Sequence, residues 1–282
     1  MKKRLAPQQE SYAHLQFKET HMNSRTLFAS IAVLFFVVSA FQAAALEPLR
    51  AKCTIERSED SGRLSLRIVK AECDGDRPCD SNFSNDSFSR FTGISASDLA
   101  REGANLTATL AAEAGTYTCS GTVHAGALTG ASLFTPDAAF VERMQQMGFS
   151  GLDSEKLQAY AFVNVESAWA RSLKQTGIQG ITADKLIPLR IFNVDPDYVH
   201  NITALGYELP SADQLIALRV QGVSPAEVRE IRALGFQPTL DELIQIRIFH
   251  ITPAFIRRMQ KRDLGKLTIA KLVQIRIFKL DE

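Results

Sequence analysis

Glycine returns on a fixed beat through the second half of the chain. It stands at Gly148, Gly177, Gly206 and Gly235, each 29 residues after the last. Leucine falls at Leu157, Leu186, Leu215, Leu243 and Leu272, spaced 29, 29, 28 and 29. A phrase follows each of the last four: Ile187-Pro188-Leu189-Arg190-Ile191-Phe192, Ile216-Ala217-Leu218-Arg219-Val220, Ile244-Gln245-Ile246-Arg247-Ile248-Phe249 and Val273-Gln274-Ile275-Arg276-Ile277-Phe278. Several anchors in one register define a repeat of roughly 29 residues, a period characteristic of stacked supersecondary units.

Each unit carries two helix signatures. The first opens on a capping residue followed by proline, as in Asp195-Pro196, Ser224-Pro225 and Thr252-Pro253. Proline suits the first helical position, where its missing N–H would be unbonded anyway. The glycine fits a left-handed C-cap. The second helix opens at Thr182, Ser211, Thr239 or Thr268 and carries the leucine phrase. Ser224 with Glu227 and Thr239 with Glu242 have capping-box spacing. Two helices of about ten residues cannot bury their apolar faces alone, so the pattern predicts an α-helical hairpin repeat solenoid of five units over residues 135–282. Thr135–Phe162 is the first and has Ala161 in the arginine position; Val163–Phe192 has Ser167 for proline and Pro188 inside its second helix; the last has Asp263 where glycine is expected. Phe192, Phe249 and Phe278 read as core between units.

Residues 46–134 carry a period of two instead. Leu64, Leu66 and Ile68 alternate with Ser65 and Arg67, a half-buried strand. The turn signal Ser58–Gly62 makes Lys52–Lys70 a hairpin. The polar stretch Asp74–Arg90 reads as loop and Ser95–Arg101 as a short helix. Asn105–Ala112 and Thr116–His124 read as paired strands, and Ala131–Phe134 as a last one. The sum is a small antiparallel β-domain, and the whole chain reads as α+β.

All four cysteines, Cys53, Cys73, Cys79 and Cys119, fall in this region. An even number in an exported segment reads as two disulfides. Cys53 shares a face with Ile55, and Cys119 with Tyr117 and Val123, so both point inward and favour Cys53–Cys119. Cys73 and Cys79 then close a short loop. A metal site is the alternative, but C-x5-C is not knuckle spacing.

Compartment follows from the N-terminus. Thr26–Leu46 holds no charge, Arg25 precedes it, and Ala43-Ala44-Ala45 fits a signal peptidase site. Residues 1–45 read as a signal peptide, with Met22 the expected true start; the alternative is an uncleaved membrane anchor. Either places the remainder outside the cytoplasm, periplasmic or secreted.

Chemistry is sparse. The chain lacks H-E-x-x-H, G-x-S-x-G, a P-loop and G-x-G-x-x-G. Its five histidines fall at unrelated places, and no cofactor is expected. A net charge of +1 gives no reason to expect nucleic acid. Arg190, Arg219, Arg247 and Arg276 form the one repeated polar feature. One reading is a binding strip for carboxylates or anionic envelope groups. The other is helix capping: each arginine sits in a last turn, where it suits orphan carbonyls and the dipole. The last unit is basic, with Arg257, Arg258, Lys261, Arg262, Lys266, Lys271, Arg276 and Lys279 against Asp263, and reads as a solvated face.

The phrases GVSPAEVREIRALGF and SADQLIALRV resemble helical repeats of bacterial exported proteins. Such repeats also lie beyond the peptidase domain of antirepressor membrane metallopeptidases of the β-lactam-sensing type. Gly115–Phe149 looks like the β-to-repeat junction of such proteins. The resemblance covers about Leu64–Glu282 and does not include the metallopeptidase portion with its zinc-binding helix and membrane spans. It implies a stand-alone sensor or interaction region without proteolytic activity. The expectation is a non-enzymatic exported scaffold binding a protein or cell-envelope component through its repeats, touching the membrane only through the N-terminal segment if uncleaved. Alternatives are an envelope sensor partnering a membrane peptidase or transducer, and a hydrolase with an unrecognised site in the β-domain.

Overall fold

Strand alternation and helix caps organise the computed structural model, which describes residues 46–58, 63–70 and 80–280. The expected signal or anchor segment and the Cys73–Cys79 pair lie outside those residues. Among the described residues, no helix is long and apolar enough to cross a membrane.

The chain is α+β. Strands β1 (Leu49–Arg57), β2 (Arg63–Lys70), β3 (Asp80–Ser87), β4 (Asn105–Ala112), β5 (Gly115–His124) and β6 (Ala127–Pro136) form one sheet in the order β3-β2-β1-β6-β5-β4. Every neighbouring pair is antiparallel. The β1–β2 hairpin sets Ile55 opposite Leu66 and Cys53 opposite Ile68. All four are buried, while Arg67, between Leu66 and Ile68, and Glu56, next after Ile55, face water.

Two expectations need correction. The polar stretch Asp74–Arg90 is not all loop, because β3 lies inside it and pairs with β2 at the sheet edge. An edge strand needs backbone partners on one side only, and polar composition protects it from pairing with other chains. It therefore carries no apolar alternation to detect. The last strand is also longer than Ala131–Phe134. β6 runs for ten residues between β1 and β5. It begins after Ala125 and Gly126, both at positive φ (50° and 82°), the backbone of a tight hairpin turn.

Gly121 and Gly130 face each other across β5 and β6. A Cβ on either would fall about 2 Å from a carbonyl oxygen, Thr129 for Gly121 and Ser120 for Gly130. The sheet coils tightly where these strands approach. The coiling lets the Cys53–Cys119 disulfide skip β6 and join β1 to β5. Two strand spacings in a flat sheet would be about 9.6 Å, whereas the two Cα atoms are 6.0 Å apart. The expected pairing is therefore the one present, and such a bond is compatible with an extracytoplasmic location.

Ten helices follow in five pairs: α1 (Ala138–Gln146) with α2 (Ser154–Val163), α3 (Ser167–Gln175) with α4 (Ala183–Ile191), α5 (Pro196–Thr203) with α6 (Ala212–Val220), α7 (Pro225–Ala233) with α8 (Leu240–Ile248), and α9 (Pro253–Gln260) with α10 (Ile269–Ile277). The second helices pack on one another in chain order, α2 to α10. They bury Leu157, Leu186, Leu215, Leu243 and Leu272. The four periodic glycines end the first helices of their units at φ between 81° and 91°. In the last unit, Asp263 stands in the glycine position and Gly265, two residues later, takes the left-handed backbone (φ 62°).

Every helix but α3 has an Asp, Ser or Thr N-cap accepting from the third helical N–H. The Thr239–Glu242 capping box forms, as expected. Ser224–Glu227 forms half of one, because the Glu227 carboxylate turns to Arg247 instead. Ser211–Gln214 is a further full box. At α3 the cap comes from the sheet. The carboxylate of Glu113, in the β4–β5 turn, accepts from Ser167 N–H at 2.9 Å.

The sheet closes on the first helix pair through α2. Tyr117 of β5 meets Phe162 edge-on, ring centroids 5.1 Å apart. Arg90 donates to the carbonyls of Ala161 and Phe162. Ser154 Oγ donates to the Glu47 carbonyl at 2.7 Å.

Two measurements check this arrangement. The disulfide closes a separation of 66 residues, for which chain entropy predicts about 4 kcal/mol within a measured range of about 2–5. The double variant Cys53→Ala/Cys119→Ala should lose stability in that range in urea titration. Glu113 is the second. Burial alone would raise its pKa, but the hydrogen bonds from Ser167 and the charge of Arg143 outweigh it and hold the carboxyl below its ordinary value. Its contribution is therefore present above about pH 4.3, the usual glutamate pKa, and is lost as pH falls through the folded value. Glu113→Gln should flatten the acid limb of the stability–pH curve. An unchanged acid limb would show that the cap has no energetic role.

Candidate interaction surface

The arginine ladder and the residues beside it lie on the second helices. These helices are apolar around most of their circumference: their turns read Leu-Ile-Pro-Leu, Leu-Ile-Ala-Leu, Leu-Ile-Gln-Ile and Leu-Val-Gln-Ile. A helix with that composition is ordinarily buried on every side. The first helices are amphipathic, with Val199 and Ile202, or Val228 and Ile231, turned inward.

Three of the four ladder residues reach backward by one unit. Arg219 donates to the carbonyl of Asn193 at 2.7 Å, Arg247 through Nε to Gln221 at 2.8 Å, and Arg276 to His250 at 3.4 Å. Each carbonyl belongs to the turn that ends the preceding second helix, at or just before a left-handed residue (Asn193, Gly222 or His250). The last four carbonyls of a helix have no partner within it, and a cation there also suits the dipole. The expected capping role thus acts on the neighbouring helix rather than on the arginine's own.

The flat guanidinium rests on the third residue of its own unit's first helix. Arg190 lies over Trp169 at 5.3 Å, Arg219 over Tyr198 at 3.7 Å and Arg276 over Phe255 at 4.2 Å. In the fourth unit that residue is Glu227, and Arg247 forms an ion pair with it at 3.3 Å. Arg190 also stands 3.9 Å from Glu166. Burial pushes the Tyr198 phenol up, with the charge of Arg219 opposing.

A second row works in the same way on the first helices. Lys174 donates to the Met147 carbonyl, Arg232 to Leu205, and Gln260 to Leu234 at 2.9 Å. Lys174 and Arg232 also cover the aromatics that follow the glycines, Phe149 and Tyr207.

The next residue along each second helix is the one sequence reasoning missed. Ile191, Val220, Ile248 and Ile277 occupy one repeat position, immediately after each ladder arginine. Their exposures are 53%, 50%, 49% and 52%. Four β-branched side chains equally open to water at one register are not scattered surface hydrophobics. Half-buried Ile187, Ile216 and Ile244 lie one turn before them. Phe192 and Phe278 also depart from expectation: they are exposed rather than packed between units. Phe249, at the same repeat position, is half-buried and packs against the core as expected.

The first unit shows what such a face accepts. Phe162 holds the position equivalent to Ile191, and it is buried under Tyr117 of the sheet. The face is therefore covered at α2 and open from α4 to α10.

Among the described residues of the β-domain, His124 Nδ1 and Glu102 Oε1 form an acid–base pair at 3.0 Å. Both side chains are about two-thirds exposed. Glu102 also accepts from the Ala125 N–H at 3.0 Å, so the pair fastens the β5–β6 turn. The hydrogen bond from His124, aided by that N–H, holds the Glu102 carboxyl below its ordinary value. Among the described residues, no three His, Cys, Asp or Glu side chains gather as a metal site.

Arg219→Ala removes a charged hydrogen bond and a stacked cation. It should cost about 2 kcal/mol in urea unfolding, with Arg219→Lys recovering part. A loss below about 0.5 kcal/mol, the level of an ordinary surface substitution, would contradict the clamp.

The chain matches no protein-family model, no curated protein sequence and no solved structure.

Proposed function

We propose that the chain is a non-enzymatic, exported interaction scaffold. In this reading the five helix pairs form a solenoid, the sheet caps its first unit, and the outer stripe of the second helices binds a protein or a cell-envelope component. The observation that carries it is the row Ile191, Val220, Ile248 and Ile277, each about half exposed at one repeat position. A helix face that stays apolar through four successive units, while the arginines beside it are occupied in clamping the stack, has the character of a docking surface.

The disulfide supports the exported part of the reading, since such bonds persist in oxidising compartments. The uncharged Thr26–Leu46 segment with its alanine-rich end supports it from the sequence. The repeats also resemble regions found outside the cytoplasm in bacterial proteins, where they accompany a sensor.

Photocrosslinking in the native envelope tests the proposal. A photoreactive residue at Val220 or Ile248 should give discrete protein or envelope adducts. The same residue at Arg229, exposed on the first helix of the fourth unit, should give none. Absence of adducts from every position, together with turnover of a substrate panel by the purified protein, would overturn the scaffold reading in favour of an enzyme.

A further inference from the structure

The first turns of the second helices carry a row of acids. Glu155, Asp184, Asp213 and Asp241 stand two residues after the N-caps of α2, α4, α6 and α8. The first three each meet a lysine from outside their own helix pair. Lys70 of β2 pairs with Glu155 at 2.5 Å, Lys156 of α2 with Asp184 at 2.7 Å, and Lys185 of α4 with Asp213. In α6 the position of Lys156 and Lys185 is held by Gln214, whose amide oxygen turns back to accept from the Ser211 N–H at 3.0 Å. Asp241 is exposed and forms no ion pair among the described residues.

The loops break their pattern at the same junction. The loop after α5 sets Leu209 Cδ2 3.5 Å from the place a Cβ on Gly177 would take. The loop after α7, Phe236-Gln237-Pro238-Thr239, is one residue shorter and has no counterpart of Leu209. Gly206, which such a residue would cover, has nothing within 4 Å of the corresponding place. Both gaps open into one cleft of about 420 Å³, lined by Gly206, Tyr207, Leu209, Gln214, Pro238 and Asp241 among others, a size ordinary for a ligand site. The Tyr207 phenol donates to the Pro238 carbonyl at 2.7 Å and ties the two loops together. Glu208 and Asp241 bring carboxylates to the lining. Arg232, its cation, is already engaged: it lies over the Tyr207 ring at 4.7 Å and donates to the Leu205 carbonyl.

We propose that this cleft receives a lysine side chain of a partner protein, its aliphatic stem against Tyr207 and Leu209 and its ammonium on Asp241. The junction before it shows what the place accepts. There Lys185 brings the ammonium to Asp213 and Leu209 brings aliphatic cover to Gly177. A lysine supplies both in one side chain, a compact charge on a flexible apolar stem. The inference rests on the scaffold reading, since a partner brings the lysine, and it names a contact distinct from the aliphatic row.

The test titrates the full chain with the peptide acetyl-Ala-Lys-Ala-amide and with its norleucine counterpart, which keeps the stem and loses the charge. In NMR spectra the lysine peptide should shift the amides of Gly206, Gln237 and Asp241. It should bind about threefold more tightly than the norleucine peptide, or better, within the worth of an exposed ion pair. Asp241→Asn should remove that advantage. Gln214→Lys should abolish binding, because the chain's own lysine then reaches Asp241 as in the two junctions before. Asp213→Asn should leave binding unchanged, since Asp213 is already paired with Lys185. All three variants should keep the circular dichroism of the parent. Butylammonium chloride, a stem and charge without peptide groups, should bind more weakly than the lysine peptide. Equal affinity for the two peptides, no binding, or an advantage that survives Asp241→Asn overturns the proposal. So does butylammonium binding as tightly as the lysine peptide, since the cleft would then serve a free amine. In those cases envelope adducts from Val220 would still sustain the scaffold reading, and their absence would remove both.

Discussion

Short helices have an end problem. A nine-residue helix leaves its first four N–H and last four C=O groups without partners inside it. Ten such helices in succession have ends everywhere and little middle. The architecture of this chain follows from how those ends are satisfied. N-terminal ends, α3 apart, are met locally, by Asp, Ser and Thr caps one residue before the helix. C-terminal ends are met partly by left-handed turns and partly by side chains of the next unit, Arg219, Arg247 and Arg276 on one row and Lys174, Arg232 and Gln260 on the other. A unit's helix ends are therefore completed only when its neighbour is in place. That dependence ties each helix pair to the next.

The junction with the sheet obeys the same rule. Where α2 ends, the next unit's Arg190 lies over Trp169 and beside Glu166, and Arg90 of the β-domain reaches the last carbonyls instead. Where α3 begins, its own Glu166 makes no side-chain cap, and Glu113 from the β4–β5 turn supplies one. The sheet behaves toward the first helices as one more unit would, and its Tyr117 covers the apolar position that later units leave open. The arginines carry the stacking, so the aliphatic row beside them is left without an intramolecular task.

Legibility divided along physical lines. Caps, glycine turns and buried leucines are local or periodic, so helix starts at Thr182, Ser211, Thr239 and Thr268 and the α+β class were readable from the chain alone. The Cys53–Cys119 pair was readable because alternation alone turns both side chains inward. Strand β3 was not, because its place is set by a free edge of β2 rather than by its own residues. The length of β6 was hidden by Gly126 and Gly130, which serve turn and coil rather than strand propensity. Glu227 was assigned to a cap because the competing charge lies 20 residues away in sequence. The row Ile191, Val220, Ile248 and Ile277 was visible as part of a repeated phrase, yet its exposure was not: a helix apolar on all sides reads as buried until its neighbours are known to leave one side bare.

Hydrogen exchange on the Arg247→Ala variant tests the clamp between units most directly. Arg247 lies in α8 but binds the Gln221 carbonyl at the end of α6. The account predicts faster exchange at the close of α6, through Gln221, Gly222 and Val223, with α8 itself little changed. Exchange quickened only within α8, and unaltered at the end of α6, would show that the arginine serves its own helix and would contradict the account.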